Sequence, residues 1–263
     1  MGRLFSGSLF MRKLLYFLMD LLLLRTWHVK RALRKIRNEL PADANILDAG
    51  SGMGQYSWRM SRMGRKWKIT GVDINNEEVG NCNVFFRKAG LSERVNFRSA
   101  DLTVAGEPES FDLILSVDVM EHILEDEKVF RNFHASLRNN GILLISTPSD
   151  QGGSDVHSKE DESFIGEHVR NGYGVEEIKS KLKGAGFNEV NVSYTYGKPG
   201  SISWLLSMKY PVKMLNLSKI FYLILPFYYL VVFPVSSILN IIDVRFKHRK
   251  GTGLLVDARK EQK

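Results

Sequence analysis

Residues 46–57 read ILDAGSGMGQYS, an apolar run closed by Asp48, then glycines at every second position, then a run fit for a helix. This pattern predicts a buried strand, a tight turn and a helix in immediate succession. Gly50, Gly52 and Gly54 let the backbone turn sharply and approach a ligand closely, because no Cβ stands in the way. A dinucleotide site would place its third glycine at position 55, and that residue is Gln. Asp48, just before the first glycine, would repel a pyrophosphate but suits a ligand that carries an ammonium and a sulfonium.

Outward from this turn, apolar runs alternate with helical patterns bounded by Gly, Asn and Pro. Strands are predicted near 44–49, 67–73, 95–100, 111–117, 141–147, 189–195 and 252–259, with helices near 55–63, 76–90, 124–139 and 174–185. Such alternation gives an α/β fold: a Rossmann-like, doubly wound, seven-stranded and mainly parallel sheet with helices on both faces. Ligands in these sheets sit at the carboxyl ends of the strands, near the switch in strand order.

Further landmarks follow in order. GVDI (71–74) ends the second strand, SADL (99–102) the third, FDLILSVDVMEHI (111–123) covers the fourth strand and its loop, and LRNNGILLISTP (137–148) the fifth. Together with the D-x-G-x-G-x-G of residues 48–54, this series resembles the class I S-adenosylmethionine-dependent methyltransferases over about residues 44–195 plus the strand near 252–259. The resemblance implies S-adenosyl-L-methionine as cofactor, held at Asp48, Ala49, Gly50, Ser51, Gly52 and Gly54. It also implies Asp73 with Ile74 at the ribose, Asp101 as acceptor for the adenine amino group beside the Leu102 N–H, and Ser116 at the fourth strand's tip. Glu121-His122, with HVRNGYGVEEIKSKLKGAGF at 168–187, resembles the ubiquinone/menaquinone-biosynthesis type of small-molecule and lipid methyltransferase. His168, Arg170 and Tyr173 match the segment that covers the active site there, although Gly174 stands where Ser or Thr is common at the helix cap.

Methyl transfer needs an aligned acceptor, exclusion of water and, for a hydroxyl acceptor, a base. His122, His168 and Tyr173 are the candidates, histidine titrating nearest neutral pH; His122 could equally satisfy a loop carbonyl and Tyr173 could equally shape the pocket. Asp118, Glu121 and His122 resemble the E-x-x-E-H metal set of some relatives with Asp for the first Glu, and no metal is assigned to them. Nucleic-acid chemistry is not supported, because the Pro-Pro motif of amino-methylating enzymes is missing after the fourth strand. Cys82, the single cysteine, lies in a helix pattern rather than after a proline.

Composition supports one α/β core, at 263 residues with 44% hydrophobic and 25% charged. A lone cysteine fits a reducing compartment. Nine Lys/Arg face two Asp/Glu in residues 1–40 and eight face one in 196–250, whereas 41–195 carries 17 against 24. The basic flanks are also the most apolar parts, a pairing that an anionic membrane surface attracts. Domains are therefore expected at 1–40 (basic, apolar helices), at 41–195 with 251–263 (the binding domain), and at 196–250 (an apolar insertion). Leu14–Leu24, broken by Asp20, is too short to span a bilayer, and no small-residue cleavage site follows it. It reads as helix lying on a membrane or capping the sheet.

Residues 220–242, IFYLILPFYYLVVFPVSSILNII, carry no charge. If 252–259 joins the same sheet as 189–195, both ends of the insertion lie on one side of any membrane, which excludes a single crossing. Two crossings need roughly 40 apolar residues, and Pro226 and Pro234 suggest short, broken segments. The expectation is therefore a cytoplasmic protein peripheral to a membrane's cytoplasmic face, acting on a small-molecule or lipid acceptor. The competing expectations are a soluble acceptor with the insertion used for a homodimer interface or lid, and a non-catalytic assembly partner with the same fold.

Overall fold

The computed structural model describes residues 8–152 and 169–261. In chain order the elements are α1 (Leu9–Leu22), α2 (Leu24–Ile36), β1 (Asn45–Ala49), α3 (Gln55–Met63), β2 (Lys68–Asp73), α4 (Asn76–Lys88), β3 (Val95–Ser99) and β4 (Phe111–Val117). A 3₁₀ turn (Met120–His122) follows, then α5 (Asp126–Ser136), β5 (Leu137–Pro148), α6 (Val175–Gly184) and β6 (Glu189–Thr195). The chain continues through α7 (Lys198–Trp204), a π turn (Leu205–Lys209), α8 (Tyr210–Leu217) and α9 (Phe221–Arg245) to β7 (Gly253–Arg259).

The seven strands form one sheet in the order β3-β2-β1-β4-β5-β7-β6. β1 to β5 pair in parallel, whereas β7 runs antiparallel between β5 and β6. Alternation along the strands feeds two cores. Leu47, Ala49 and Ile114 join Phe130, Phe133, Ile178 and Leu182 of α5 and α6 on one face; Ile46, Leu113 and Leu115 join Val29, Leu33, Met60, Phe85 and Phe86 of α2, α3 and α4 on the other. β4 is buried on both faces, which is why FDLILSV reads as an almost unbroken apolar run. The fifth strand begins earlier than its sequence suggests: the turn at Asn140, φ +62°, stays within the ladder, and the preceding helix stops at Ser136.

The N-terminal flank packs onto this sheet. α2 buries Leu24, Val29, Leu33 and Ile36, so it caps the core. α1 is two-sided, with Arg12 and Tyr16 buried and Phe10 and Phe17 exposed. Asp20, the interruption in its apolar run, pairs with Arg59 of α3 and with Lys30 of α2.

The insertion between β6 and β7 is a helical hairpin. α7, the π turn and α8 lead out, and α9 returns. The expected break at Pro226 and Pro234 does not occur, since α9 is continuous through both. Each proline removes one N–H from the ladder, those that would reach the carbonyls of Tyr222 and Leu230, and the apolar residues between them keep helical geometry. At 25 residues α9 is about 37 Å long, long and apolar enough by length and composition to cross a bilayer, and little of it is buried. Its buried residues, Ser236, Asn240 and Asp243, form a polar stripe at its root. There Asp243 accepts from the Gly200 N–H at 2.9 Å and lies 2.8 Å from Nε2 of His28, tying α9 to α7 and to α2.

Candidate functional site

The turn after β1 is built from backbone. The N–H groups of Gly50 and Ser51 donate to the Val72 carbonyl at 2.8 and 2.9 Å, and Gly54 N–H closes on the Ser51 carbonyl at 2.8 Å. Gly50 sits at φ +76°, and a Cβ there would meet Val119 Cγ2 at 2.2 Å. The turn therefore presses against the loop after β4, and only glycine permits both that conformation and that contact. Gly54, at φ +77°, begins α3 without a side-chain cap.

Acidic side chains close successive strands at this end. Asp48 is buried, and Ser57 Oγ donates to its Oδ2 at 2.6 Å; burial pushes its carboxyl up to about 6. Asp73 accepts from the Gly52 N–H at 2.8 Å and the Asn75 N–H at 2.9 Å, which locks the glycine turn to the tip of β2. Beside it Ile74 is 76% exposed, an apolar platform next to a carboxylate. Asp101 accepts from the backbone N–H and hydroxyl of Thr103, both at 2.8 Å, and those bonds hold it below the usual carboxylate range. Asn132 Nδ2 donates to the Leu102 carbonyl at 2.9 Å. Ser51 Oγ and Ser116 Oγ are buried without a hydrogen-bond partner. Ala49 lies opposite Ser116 in the ladder between β1 and β4, the switch in strand order.

The cap over this crevice comes from residues that no sequence motif marks. Arg12 donates to the Met53 carbonyl at 2.7 Å and to Cys82 Sγ at 3.1 Å, and the Tyr16 hydroxyl also donates to Met53. α1 is thereby held on the glycine turn. Burial pushes the Cys82 thiol up to about 12, so it is not a ready nucleophile. Arg25, at the start of α2, forms an ion pair with Asp118 at the tip of β4, a residue held at φ +51°.

His122 is half-buried in the 3₁₀ turn, its N–H donating to the Val119 carbonyl at 3.0 Å. His168 lies outside the described residues. Tyr173 is buried, and its hydroxyl donates to Asp126 at 2.7 Å and lies 3.1 Å from the Met120 carbonyl. Asp126 also binds Arg170 at 2.5 Å and Lys181 at 2.8 Å. Burial alone would raise its carboxyl, yet the bonds to Lys181 and Tyr173 and the charge of Arg170 hold it below the usual range. The phenol ties the segment before α6 to α5 and to the 3₁₀ turn. The cap of α6 at Gly174 is half of a capping box: glycine offers no side chain, and Glu177 accepts from its N–H at 3.3 Å.

Two of the possible metal ligands are engaged by protein partners. Asp118 is held by Arg25, while buried Glu121 accepts from Thr147 Oγ1 at 3.1 Å and is pushed up by burial. Among the described residues no three such ligands gather.

A glycine turn under a strand-order switch, with carboxylates on three strand tips and two buried hydroxyls lacking partners, defines a nucleoside-binding α/β fold. Residues 40–186 match the family model described as a methyltransferase domain, and the chain belongs to that family. A ubiquinone biosynthesis O-methyltransferase of Xanthomonas euvesicatoria is 28% identical over 106 residues, 40% of this chain and 44% of the relative, so the chain spans less than half of that relative. Phosphoethanolamine N-methyltransferase 2 of Haemonchus contortus, solved with S-adenosyl-L-methionine, superposes with a TM-score of 0.64 at 20% identity, over 90% of this chain and 53% of that one. The cyclase SpnF superposes with a TM-score of 0.59 at 18% identity, over 88% and 82%. The last likeness shows that the fold alone does not fix the reaction.

Proposed function

We propose that this chain transfers a methyl group from S-adenosylmethionine to a hydrophobic or amphiphilic small molecule, of lipid, prenylated quinone precursor or polyisoprenoid-linked type, at a membrane surface. The observation that carries this reading is placement. The hairpin leaves the sheet after Thr195 and returns at Gly253, paired neighbours at the carboxyl end, where the glycine turn also lies. The insertion thus brings exposed Phe227, Leu230 and Val231 to the same end as the crevice, edged by Lys209, Lys213, Lys219, Arg245 and Lys247.

The residues present fit the nucleoside. Asp73 and Asp101 keep lone pairs for ribose hydroxyls and an adenine amine, Ile74 offers its side to the base, and Ser51 and Ser116 have hydroxyls to donate. Asp48 supplies a buried carboxylate toward the cationic end. The bound cofactor supplies a methyl made electrophilic by its sulfonium. The chain's part is to exclude water with α1, hold the acceptor beyond Asp118, and remove a proton from a hydroxyl acceptor through His122 or His168.

Calorimetry with S-adenosylmethionine and its Asp73→Ala counterpart tests the cofactor, with binding expected to weaken at least tenfold in the variant. Unchanged affinity overturns the ribose assignment. Radiolabelled methyl transfer into membrane extracts, with liposome co-sedimentation at low and high salt, tests the acceptor and the surface. A chain that methylates only soluble metabolites, or binds liposomes at neither salt, refutes the membrane part.

A further inference from the structure

The root of the hairpin encloses a cavity of about 270 Å³ between the α1–α2 junction and the π turn. Leu22, Leu23 and Arg25 line one side, Tyr196, Trp204 and Met208 the other. Ser203 and Ser207 also line it, their hydroxyls donating to the Ser236 and Ser203 carbonyls at 3.2 and 2.8 Å, and its one charged lining residue is Arg25. The Arg25 N–H donates to the Tyr196 hydroxyl at 2.9 Å, and the Arg25 guanidinium meets Asp118. Val119, the next residue, packs against Gly50 of the nucleoside turn. The Arg25 end is thereby linked through Asp118 and Val119 to the glycine turn after β1.

Three features mark this cavity as a ligand site rather than a packing fault. Arg25 keeps 30% of its side chain accessible beside its ion pair with Asp118, so the cation at this end has surface left for a second partner. The wall from the hairpin is the π turn, Leu205–Lys209, a rare geometry that tends to occur where a helix is adapted to a function. Met208 in that turn is an unbranched side chain that conforms to irregular apolar shapes. The volume lies just under the range of about 300 to 1,000 Å³ for small-molecule sites, enough for one linear chain and too little for a two-chain lipid.

We propose that this cavity takes the apolar chain of a single-chain amphiphile whose oxygen-bearing head group lies at Arg25, presenting the head to the methyl donor. The proposal rests on the amphiphilic-acceptor reading above and names where and how that acceptor binds.

Dodecyl phosphate, below its micelle concentration, is the probe for the full chain in solution. One molecule is expected per chain, quenching Trp204 fluorescence when the alkyl chain is brominated. Leu23→Trp and Met208→Trp, which fill the cavity, should each weaken it at least tenfold while S-adenosylmethionine affinity stays unchanged. Arg25→Gln should erase the preference for dodecyl phosphate over dodecanol. Within an alkyl phosphate series on the wild-type chain, each added CH₂ should tighten binding about fourfold until the cavity is full, then add nothing. Affinity that keeps climbing with chain length, or that survives both filled variants, overturns the proposal; the chain-length series decides should either variant fail to fold. Vesicles of phosphatidylcholine and phosphatidylserine separate this from the membrane reading. The filled variants should still bind them, because α9 is untouched; cavity binding without vesicle binding would remove the membrane surface and leave the amphiphile site standing.

Discussion

Asp48→Asn should make the protein more stable and a poorer binder of S-adenosylmethionine at once. The carboxylate of Asp48 is 2% exposed, and its pKa is pushed from 3.8 up to about 6 by burial, against the stabilising hydrogen bond from Ser57. A raised carboxylate pKa means that the folded chain holds a proton between about pH 4 and 6 that the unfolded chain has released. Stability is thus fullest below about pH 4 and falls as pH rises through 6. The shift of about two units corresponds to about 3 kcal/mol lost at neutral pH. Asparagine fills the same space, keeps an acceptor for Ser57 and carries no charge, so apo Asp48→Asn should melt several degrees higher at pH 7.5, with the gain gone at pH 4. Cofactor binding runs the other way. If the ligand's cationic end requires the ionised carboxylate, about one tenth of the free protein is competent at pH 5 and about nine tenths at pH 7, so affinity should tighten roughly tenfold across that interval. The ligand's α-amine stays largely protonated throughout, so the titration reports the protein. Calorimetry at pH 5, 6 and 7 on wild type and Asp48→Asn, with thermal melts of both, checks the pair. A wild-type affinity flat in pH, or a variant that melts lower at pH 7.5, would refute the reasoning.

Gly50→Ala should cost about 2 to 5 kcal/mol, from the left-handed backbone and the 2.2 Å approach to Val119, and should abolish cofactor binding; near-wild-type denaturation midpoints would contradict the turn's geometry. Replacing Phe227, Leu230 and Val231 of α9 together by serine removes side chains that are 71%, 74% and 69% exposed. At about 1 to 2 kcal/mol each, vesicle partitioning should fall by roughly a thousandfold, with the melting curve and cofactor affinity unmoved. Tyr173→Phe should lower stability by about 1 kcal/mol, leaving the pH profile of methyl transfer in place, since the lost hydroxyl serves Asp126; a displaced profile would put Tyr173 in the chemistry.

What the sequence made legible is what local physics dictates. The glycine turn shows in ILDAGSGMGQYS because only glycine tolerates φ +76° and +77° there, and the strands show because parallel strands covered on both faces become continuous apolar runs. The register after α5 was harder, because Asn140 can supply a left-handed turn inside a ladder as readily as at its end. The prolines of α9 misled for a related reason: a missing N–H argues for a break, but an apolar run can absorb it. Least legible were the contacts between elements far apart in the chain. Arg12 reaches Met53 across 41 residues and His28 reaches Asp243 across 215, with no periodicity to announce either pair. Nor could Tyr173 be separated from the histidines by residue type, because a phenol that braces a loop and one that moves a proton look alike until their surroundings are known.

Since β6 and β7 are antiparallel neighbours, with Thr195 opposite Gly253, a tight turn of a few residues could join them. Everything between is surplus to the architecture. Lengthening, trimming or re-greasing that excursion would leave every strand in register, so its length and polarity could drift across a lineage without renegotiating how the sheet grips its nucleoside.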